Sequence, residues 1–575
     1  MGRQVLVNQY QNNWQRESDV LALANGGFMV VWSSYLNNYD DGFAGTIISG
    51  RRFDGAGRPM GGEFVIEAIN GTASGLPSIA PLAGGGYAIA STFSPTDDIL
   101  GATQVWAQSY RADGTERGPD FRVDMPTAAE RQYEATDPSV AGLGKGGYLA
   151  FYAADQSDSS FDDIYVRRFD AQGRPKGSDQ RINSNVNNRD QTEVEAVTLS
   201  NGTVLAIWNS EDTLRNPNGS YDFEIRGALY SSTEQLIRSD FHLSRNVGVI
   251  SPYPGLSGDF DVTPLAGGGF AISRFDYGSR FGTGDADPLL VQTFNASGRA
   301  TSRPMIVHTT DEVQFDSEII QLATGEMVVV WEQYPINGDV GVDLYGRILS
   351  AKGRALTGVF EVGTDFSEYD RQEDASLRAL AGGGFVVSYT HDNLDADHEG
   401  IATRVFGRGS TGADRLTVDA SGYLAGRHGN DRLGGNARAN VLDGGAGHDT
   451  LSGRGGNDVL TGGAGRDLLV GGPGADDFVF EHRGHGPDRI QGWGSGDDII
   501  LDDAAFRGIG GAGNLPGSAF QVLGQGRVDA SDRILYDRSE GKVYYDLDGA
   551  GGRMRELLAD LDSTPWLGAD DFQVM

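Results

Sequence analysis

The stretch Gly426–Val479 reads GRHGNDRLG GNARANVLD GGAGHDTLS GRGGNDVLT GGAGRDLLV GGPGADDFV. These are nonapeptides in unbroken register, starting at Gly426, Gly435, Gly444, Gly453, Gly462 and Gly471, on the pattern G-G-x-G-x-D-x-U-x with U a large apolar residue. The first six residues of each copy predict a turn, because glycine reaches backbone angles that other residues adopt only with strain. The last three predict a short strand whose apolar residue points inward: Leu433, Leu442, Leu451, Leu460, Leu469 and Phe478. One copy is half a coil, so the turns stack on two edges. One edge carries Asp431, Asp449 and Asp467, and the other carries Asn440, Asp458 and Asp476. A flexible Gly/Asp linker would have no reason to keep an apolar residue at a fixed place in every nonapeptide.

A hard cation takes oxygen ligands, and stacked turns of this kind offer aspartate carboxylates and backbone carbonyls. The candidate metal residues are Gly429, Asp431, Gly444, Gly445, Gly447, Asp449, Gly453, Gly456, Asp458, Gly462, Gly463, Gly465, Asp467, Gly471, Gly472, Gly474 and Asp476. Without the ions the carboxylates repel one another and the glycines lose much entropy on ordering. The roll is therefore expected to fold with several calcium ions and to be unfolded without them. Asn440 stands where aspartate is expected, so sites that use its turn should be weaker. The run resembles the RTX (repeats-in-toxin) hemolysin-type family of calcium-binding exoproteins. That resemblance implies a parallel β-roll, and export through type I secretion machinery by an uncleaved C-terminal signal.

Residues 2–408 repeat a different unit, of about 55 to 65 residues. A hairpin signal recurs seven times: LANGGFMVVW ending at Trp32, LAGGGYAIAS at Ser91, LGKGGYLAFY at Tyr152, LSNGTVLAIW at Trp208, LAGGGFAISR at Arg274, LATGEMVVVW at Trp331 and LAGGGFVVSY at Tyr389. Each is followed by a strand ending at Phe53, Tyr110, Phe169, Tyr230, Phe294, Leu349 or Phe406, most with a turn such as DGAGRP or DAQGRP after it. Each unit reads as antiparallel strands A to D, in the first unit Asp19–Leu23, Phe28–Trp32, Ile47–Phe53 and Phe64–Glu67. Strands B and C are apolar on both faces in several units, and radial stacking of blades buries both faces. The seventh unit lacks a D strand, and the segment GRQVLVN near residue 5 matches the D strands GGEFVIE and PDFRVD. The expected fold is all-β: a seven-bladed propeller over 1–408 closed by the N-terminal strand, a β-roll over 409–480, and a C-terminal cap with the secretion signal over 481–575. The propeller region is similar to repeats seen in secreted bacterial RTX-type proteins. Within the cap, segments 532–537 and 543–549 read as a closing hairpin, with Asp546 and Asp548 as a further calcium candidate or a solvated turn.

Asp and Glu number 80 against 46 Lys and Arg, a formal charge of -34, which argues against nucleic acid and anionic membranes as partners. There is no cysteine, so no disulfide contributes to stability. No run of apolar residues is long enough to span a membrane, and the N-terminal residues do not read as a basic-then-apolar signal peptide. The chain lacks H-E-x-x-H and G-x-S-x-G, so the protease activity of some RTX proteins is not implied. His391 and His398 share the acidic segment HDNLDADH with Asp392, Asp395 and Asp397, which reads either as a metal site or, since the spacing matches no ligand motif, as the favoured alternative of a solvated loop.

Near the start of strand A the units carry Glu17, Leu76, Asp137, Glu193, Asp259, Asp316 and Asp374. These are expected to ring the channel mouth, either satisfying local backbone N–H groups or binding a cation or basic ligand. The B–C and D–A connections are long and define the expected ligand face. They carry Tyr35, Tyr39, Phe93, Phe161, Tyr221, Tyr277, Phe281 and Tyr334, beside Asp40, Asp41, Asp97, Asp98, Asp162, Asp163, Asp285, Asp287, Asp339 and Asp343. Aromatic faces suit the C–H faces of sugars, and carboxylates accept hydroxyls. The leading expectation is glycan binding in adhesion or surface attachment. The alternatives are an extracellular polysaccharide lyase or glycoside hydrolase, and a structural matrix or surface-layer protein.

Overall fold

The computed structural model describes the chain except for residues 1–3, 10–13, 39–42, 69–71, 74–76, 95–102, 126–134, 156–161, 185–190, 216–220, 248–259, 277–287, 311–313, 335–340, 358, 364–370, 382–383, 393–398, 408–412, 419–421, 504, 512 and 550–554. The described regular structure is β throughout, apart from the short 3₁₀ turns Gly517–Ala519 and Ala569–Asp571.

The first part is a seven-bladed β-propeller. In blade one, strands A to D are Trp14–Ala22, Phe28–Asn38, Phe43–Phe53 and Phe64–Ala68. Blade seven takes A to C from Gln372–Ala379, Phe385–His391 and Gly400–Phe406, and its outer strand is Val5–Leu6. Val5 pairs with Thr403 and Leu6 with Ala402. The Val7 N–H donates to the Ile401 carbonyl at 2.7 Å, and the Ile401 N–H donates to Asn8 Oδ1 at 3.0 Å. The ring is thus closed by the strand that the sequence left over.

The hairpin signals become one repeated contact. An aromatic residue at the start of strand B stacks on the last residue of strand C: Phe28 on Phe53, Tyr87 on Tyr110, Tyr148 on Phe169, Phe270 on Phe294 and Phe385 on Phe406, with ring centroids 4.6–5.0 Å apart. Strands B are buried on both faces, which places Trp32, Trp208 and Trp331 between blades. Each such side chain contributes about 1.5–3 kcal/mol of transfer free energy.

The axis holds a second repeated contact, invisible in hydrophobic patterning. Strand A of each blade carries a polar side chain toward the next blade. Asp19 Oδ2 accepts the Ile79 N–H at 2.9 Å, Ser78 Oγ that of Val140 at 3.1 Å, and Ser139 Oγ that of Ala196 at 2.9 Å. Asp261 Oδ2 accepts the Ile319 N–H at 2.5 Å, and Glu318 accepts that of Leu377. Ser376 Oγ accepts the Val20 N–H at 3.2 Å, joining blade seven to blade one. Glu195, at the equivalent place in blade four, instead hydrogen-bonds Asp261. Arg378 donates to Asp19 Oδ1 at 3.1 Å within this acidic neck.

The roll follows as two parallel sheets. One runs Arg415–Thr417, Arg432–Gly434, Thr450–Ser452, Leu468–Val470 and Asp488–Gln491, and the other Tyr423–Ala425, Val441–Asp443, Val459–Thr461, Asp477–Phe480 and Asp498–Leu501. Residues eighteen apart are in register, so Leu433 lies beside Leu451 and Leu442 beside Leu460. The inward residues Leu442, Leu451, Leu460, Leu469 and Phe478 are fully buried in one core. That core continues past residue 480 through Ile490 and Ile499 to Phe572, so the coil runs on beyond the repeats. Strands Ile534–Asp537 and Lys542–Asp546 form a hairpin that extends the first of these sheets, between Arg555–Leu561 and the edge strand Phe520–Val522.

Ser376 shares the Val20 N–H with Asp19 Oδ1, which accepts it at 2.7 Å, and the Ser376 hydroxyl itself donates to Asp19 Oδ1 at 2.9 Å. We expect Ser376→Ala, which removes both of its bonds to blade one, to lower stability by about 0.5–1.5 kcal/mol, read as a shift of the urea midpoint at unchanged m-value. An unshifted midpoint would mean that the axial hydrogen bonds do not hold the ring.

Candidate metal centre and channel mouth

The roll aspartates use their two carboxylate oxygens differently. Asp449 Oδ1 accepts the Asp431 N–H at 2.7 Å, and Asp467 Oδ1 accepts the Asp449 N–H at 2.7 Å. On the opposite edge Asp458 Oδ1 accepts the Asn440 N–H at 2.8 Å, and Asp476 Oδ1 accepts the Asp458 N–H at 2.9 Å. The second oxygens, Oδ2 of Asp431, Asp449, Asp458, Asp467 and Asp476, are buried without a protein partner. Burying an unpaired carboxylate oxygen is strongly unfavourable unless something cationic meets it.

The glycines explain why only this sequence fits. A Cβ on Gly444 would stand 2.6 Å from Asp449 Oδ2, and one on Gly453 2.1 Å from Asp458 Oδ2. At the turn tips the backbone crowds the neighbouring turn: a Cβ on Gly447 would lie 1.5 Å from the Gly429 carbonyl oxygen, and one on Gly465 1.5 Å from that of Gly447. Both glycines have φ near +150°, where a side chain is strained. The turns therefore bring carbonyl oxygens of successive coils close together, beside the orphaned carboxylate oxygens. Among the described residues no three His, Asp or Glu side chains gather as a metal group. The donor set is instead one of carboxylate plus backbone carbonyl oxygens, which fits calcium.

Burial pushes these carboxyls up: Asp449 to about 7, Asp458 to about 8 and Asp476 to about 6, with neighbouring aspartates adding to it. The nonapeptide pattern missed two members of the ladder. Asp488 Oδ1 accepts the Asp467 N–H at 3.0 Å, and Asp497 Oδ1 accepts the Asp476 N–H at 3.0 Å. Their spacing is 21 residues instead of eighteen, so the insertion in each turn hides them from the pattern. Asn440 makes the expected ladder bond, and its amide Nδ2 donates to the Ala439 carbonyl at 3.0 Å. An amide there brings no charge, and its N–H₂ occupies the place of a carboxylate oxygen.

At the channel mouth, Glu17, Asp137, Glu193, Asp316 and Asp374 all sit in the left-handed region, with φ between 41° and 57°. Each lies at or beside a β-bulge in strand A, where the pairing with strand B slips. Two of their carboxylates join blades through the backbone: the Glu193 N–H donates to Asp137 Oδ2 at 3.0 Å, and the Glu17 N–H donates to Asp374. This is the backbone-satisfying role, met across blades instead of within a turn. Leu76 and Asp259 lie outside the described residues. Between blades six, seven and one the acids crowd. Glu332 Oε1 accepts the Asp374 N–H at 2.6 Å, while its Oε2 is buried without a partner. Burial, with Asp374 beside them, raises Glu17 and Glu373 to about 7.

Most of the expected ligand face is outside the described residues: Tyr39, Asp40, Asp41, Asp97, Asp98, Phe161, Tyr277, Phe281, Asp285, Asp287 and Asp339. Tyr35 and Tyr221 are in strands Phe28–Asn38 and Tyr221–Tyr230, with side chains also outside the description. Three expected loop residues are corrected. Phe93 is 1% exposed and packs with Ile48, because strand B of blade two runs to Ser94. Asp163 is buried, accepting from Asn183 at 2.7 Å and pairing with Arg181 at 3.1 Å. Asp343 begins strand C of blade six. Asp162 and Tyr334 are half-buried, and Tyr334 lies against Phe315 with ring centroids 5.0 Å apart. His391 is buried in its strand, while His398, Asp395 and Asp397 lie outside the described residues. Asp546 Oδ1 accepts the Asp548 and Gly549 N–H groups, the pattern of a turn.

Residues 426–460 and 452–479 match the RTX calcium-binding nonapeptide repeat family. The chain carries RTX calcium-binding repeats. No curated protein matches it in sequence. Solved structures are similar to it at low identity. A Penicillium chrysogenum alpha-L-arabinanase complexed with arabinobiose is 12% identical, with a TM-score of 0.41 over 70% of this chain and 97% of its own. The Fusarium graminearum α-L-arabinofuranosidase of family GH93, with arabinobiose, is 11% identical, with a TM-score of 0.39 over 70% and 96%. A Dyadobacter fermentans protein of unknown function is 12% identical, with a TM-score of 0.39 over 70% and 97%. No helix of the described residues is long and apolar enough to cross a membrane.

Two outcomes follow for these sites. In equilibrium dialysis of the whole protein, Asp449→Ala and Asp458→Ala should each weaken calcium binding at least as much as the roughly 10–100-fold that loss of a supporting residue produces. Asn440→Asp should strengthen it; unchanged binding in all three would place the ions elsewhere.

The second outcome concerns pH. Glu17 and Glu373 have folded values raised from 4.5 to about 7, so the fold binds their protons more tightly than the unfolded chain does. Their contribution is full below the unfolded value and lost as pH rises toward 7. Propeller melting at constant calcium should therefore fall from pH 5 to pH 8, and Glu17→Gln with Glu373→Gln should flatten the slope. An equally steep slope in the double variant would contradict the assignment.

Proposed function

We propose that this is a calcium-dependent extracellular protein that uses its propeller to bind a glycan, in adhesion or surface attachment. The observation that carries the calcium half is the ladder of buried, unpartnered Oδ2 atoms in a match to RTX repeats. Calcium is held between successive turns by Asp431, Asp449, Asp458, Asp467 and Asp476, with the turn carbonyls, and the ladder extends to Asp488 and Asp497. Residues 409–480 act as the calcium roll and 481–575 as its cap and type I export signal. Scarce calcium inside the cell leaves the roll unfolded for export, and abundant calcium outside folds it. Residues 1–408 act as the binding ring, with Tyr35, Tyr39, Asp40, Asp41, Asp97, Asp98, Asp285 and Asp287 in the segments that meet the ligand. What supports the glycan half is the pairing of aromatic and acidic residues in those segments.

A second reading, glycoside hydrolysis or polysaccharide cleavage, is favoured by the mouth acids. Glu17 and Glu373, raised to about 7, stay partly protonated at neutral pH, as a general acid must. A glycan array probed with calcium and with chelator separates the readings. Calcium-dependent retention without released sugar is the expected result, and released oligosaccharide selects the enzyme. Retention on no glycan would end the glycan reading.

A further inference from the structure

The two sheets of the roll differ on their outward sides. In the sheet of Thr450–Ser452, the residues flanking the inward leucines are Arg432, Thr450 and Arg489, which are half-buried or exposed. In the other sheet the corresponding residues are Tyr423, Val441 and Val459, with Val479 and Ile500 further along, and all are buried. They are not buried within the roll. They belong to one apolar core with Leu356 and Phe360 of blade six and Phe385 and Phe406 of blade seven. The seam is specific as well as apolar. The Tyr423 hydroxyl lies 3.2 Å from Thr324 Oγ1, Arg354 pairs with Asp477, and the Ala425 N–H donates to the Gly407 carbonyl at 3.3 Å.

We propose that calcium in the roll governs the order of blades six and seven, because the calcium-folded roll supplies the sheet face that completes their shared core. The face exists only when successive coils are stacked: Val441 and Val459 are neighbours through the pairing of their strands, eighteen residues apart. An unfolded roll presents no such surface, and the lower edge of blades six and seven then meets water. Among the described residues none of blades three and four belongs to this core, so those blades stand as the internal control. The propeller is therefore a calcium-responsive body although its own blades carry no nonapeptide. This inference rests on the calcium reading of the roll.

The test is amide hydrogen exchange on the whole protein, with calcium and with chelator. Exchange in Met327–Gln333, Asp343–Leu349 and Phe385–His391 should be roughly tenfold faster or more in chelator, along with exchange in the roll. Tyr148–Ala154 in blade three should change little. Faster exchange in the roll with no change in blades six and seven would overturn the inference while leaving the calcium reading intact. A roll that is equally protected in chelator would overturn both. Val441→Asp with Val459→Asp, in saturating calcium, separates docking from metal binding. The variant should still take up calcium in equilibrium dialysis yet show the fast exchange of blades six and seven. Arg432→Asp with Thr450→Asp, on the polar sheet, should leave those blades protected. If both pairs of substitutions expose them equally, the face is not specific and the proposal fails.

Discussion

A carboxylate has two oxygens, and the roll gives them unlike tasks. One takes the N–H of the ladder residue on the preceding coil, which fixes the rise from coil to coil and holds the turns in register. The other is left inside with no protein donor. Hydrogen bonding alone therefore builds a structure with unsatisfied charge at every step, and a cation turns that defect into cohesion. The inward leucines, the glycine turns and the apolar outer face all presuppose the coil that this arrangement permits. Through the face of Val441 and Val459 the dependence reaches the neighbouring propeller.

The propeller solves its own joining problem with similar chemistry. Its blades are bound laterally by apolar stacks and at the axis by side chains that accept backbone N–H groups from the next blade. Aspartate, serine and glutamate all appear at that axial place, since any short oxygen acceptor serves. The left-handed bulge just before it aims a second tier of carboxylates the same way. The acidic mouth is thus a joint first, with carboxyls left in crowded positions around Glu332 and Asp374 as its by-product.

Repetition is what made so much of this legible in sequence. The nonapeptides display both the inward leucines and the alternation of edges, and the B–C aromatic pairs mark the blades. The surplus strand at Val5–Leu6 was recognisable because one blade lacked its partner. The axial acceptors were not legible, because their residue type varies from blade to blade while only their position recurs. Asp488 and Asp497 were hidden by an altered spacing. Phe93 and Asp163 were misplaced because strand length, which decides whether a residue is in a loop or a sheet, depends on pairing partners distant in sequence. The outward valines could be read as a pattern, but their meaning required the blade they rest on.

The pairing that closes the ring has a consequence for how the molecule comes to be folded. Asn8 and Ile401 are 393 residues apart in the chain. Loop-closure entropy grows only logarithmically, by about 0.6 kcal/mol per doubling, so this distance costs little at equilibrium. In time it matters far more, since contacts of large sequence separation form slowly. Until blade seven is available, the six earlier blades can form only an open arc whose two end blades each leave an apolar face uncovered, the faces that blade seven buries. Closing the ring requires the earliest strand of the propeller to meet its last.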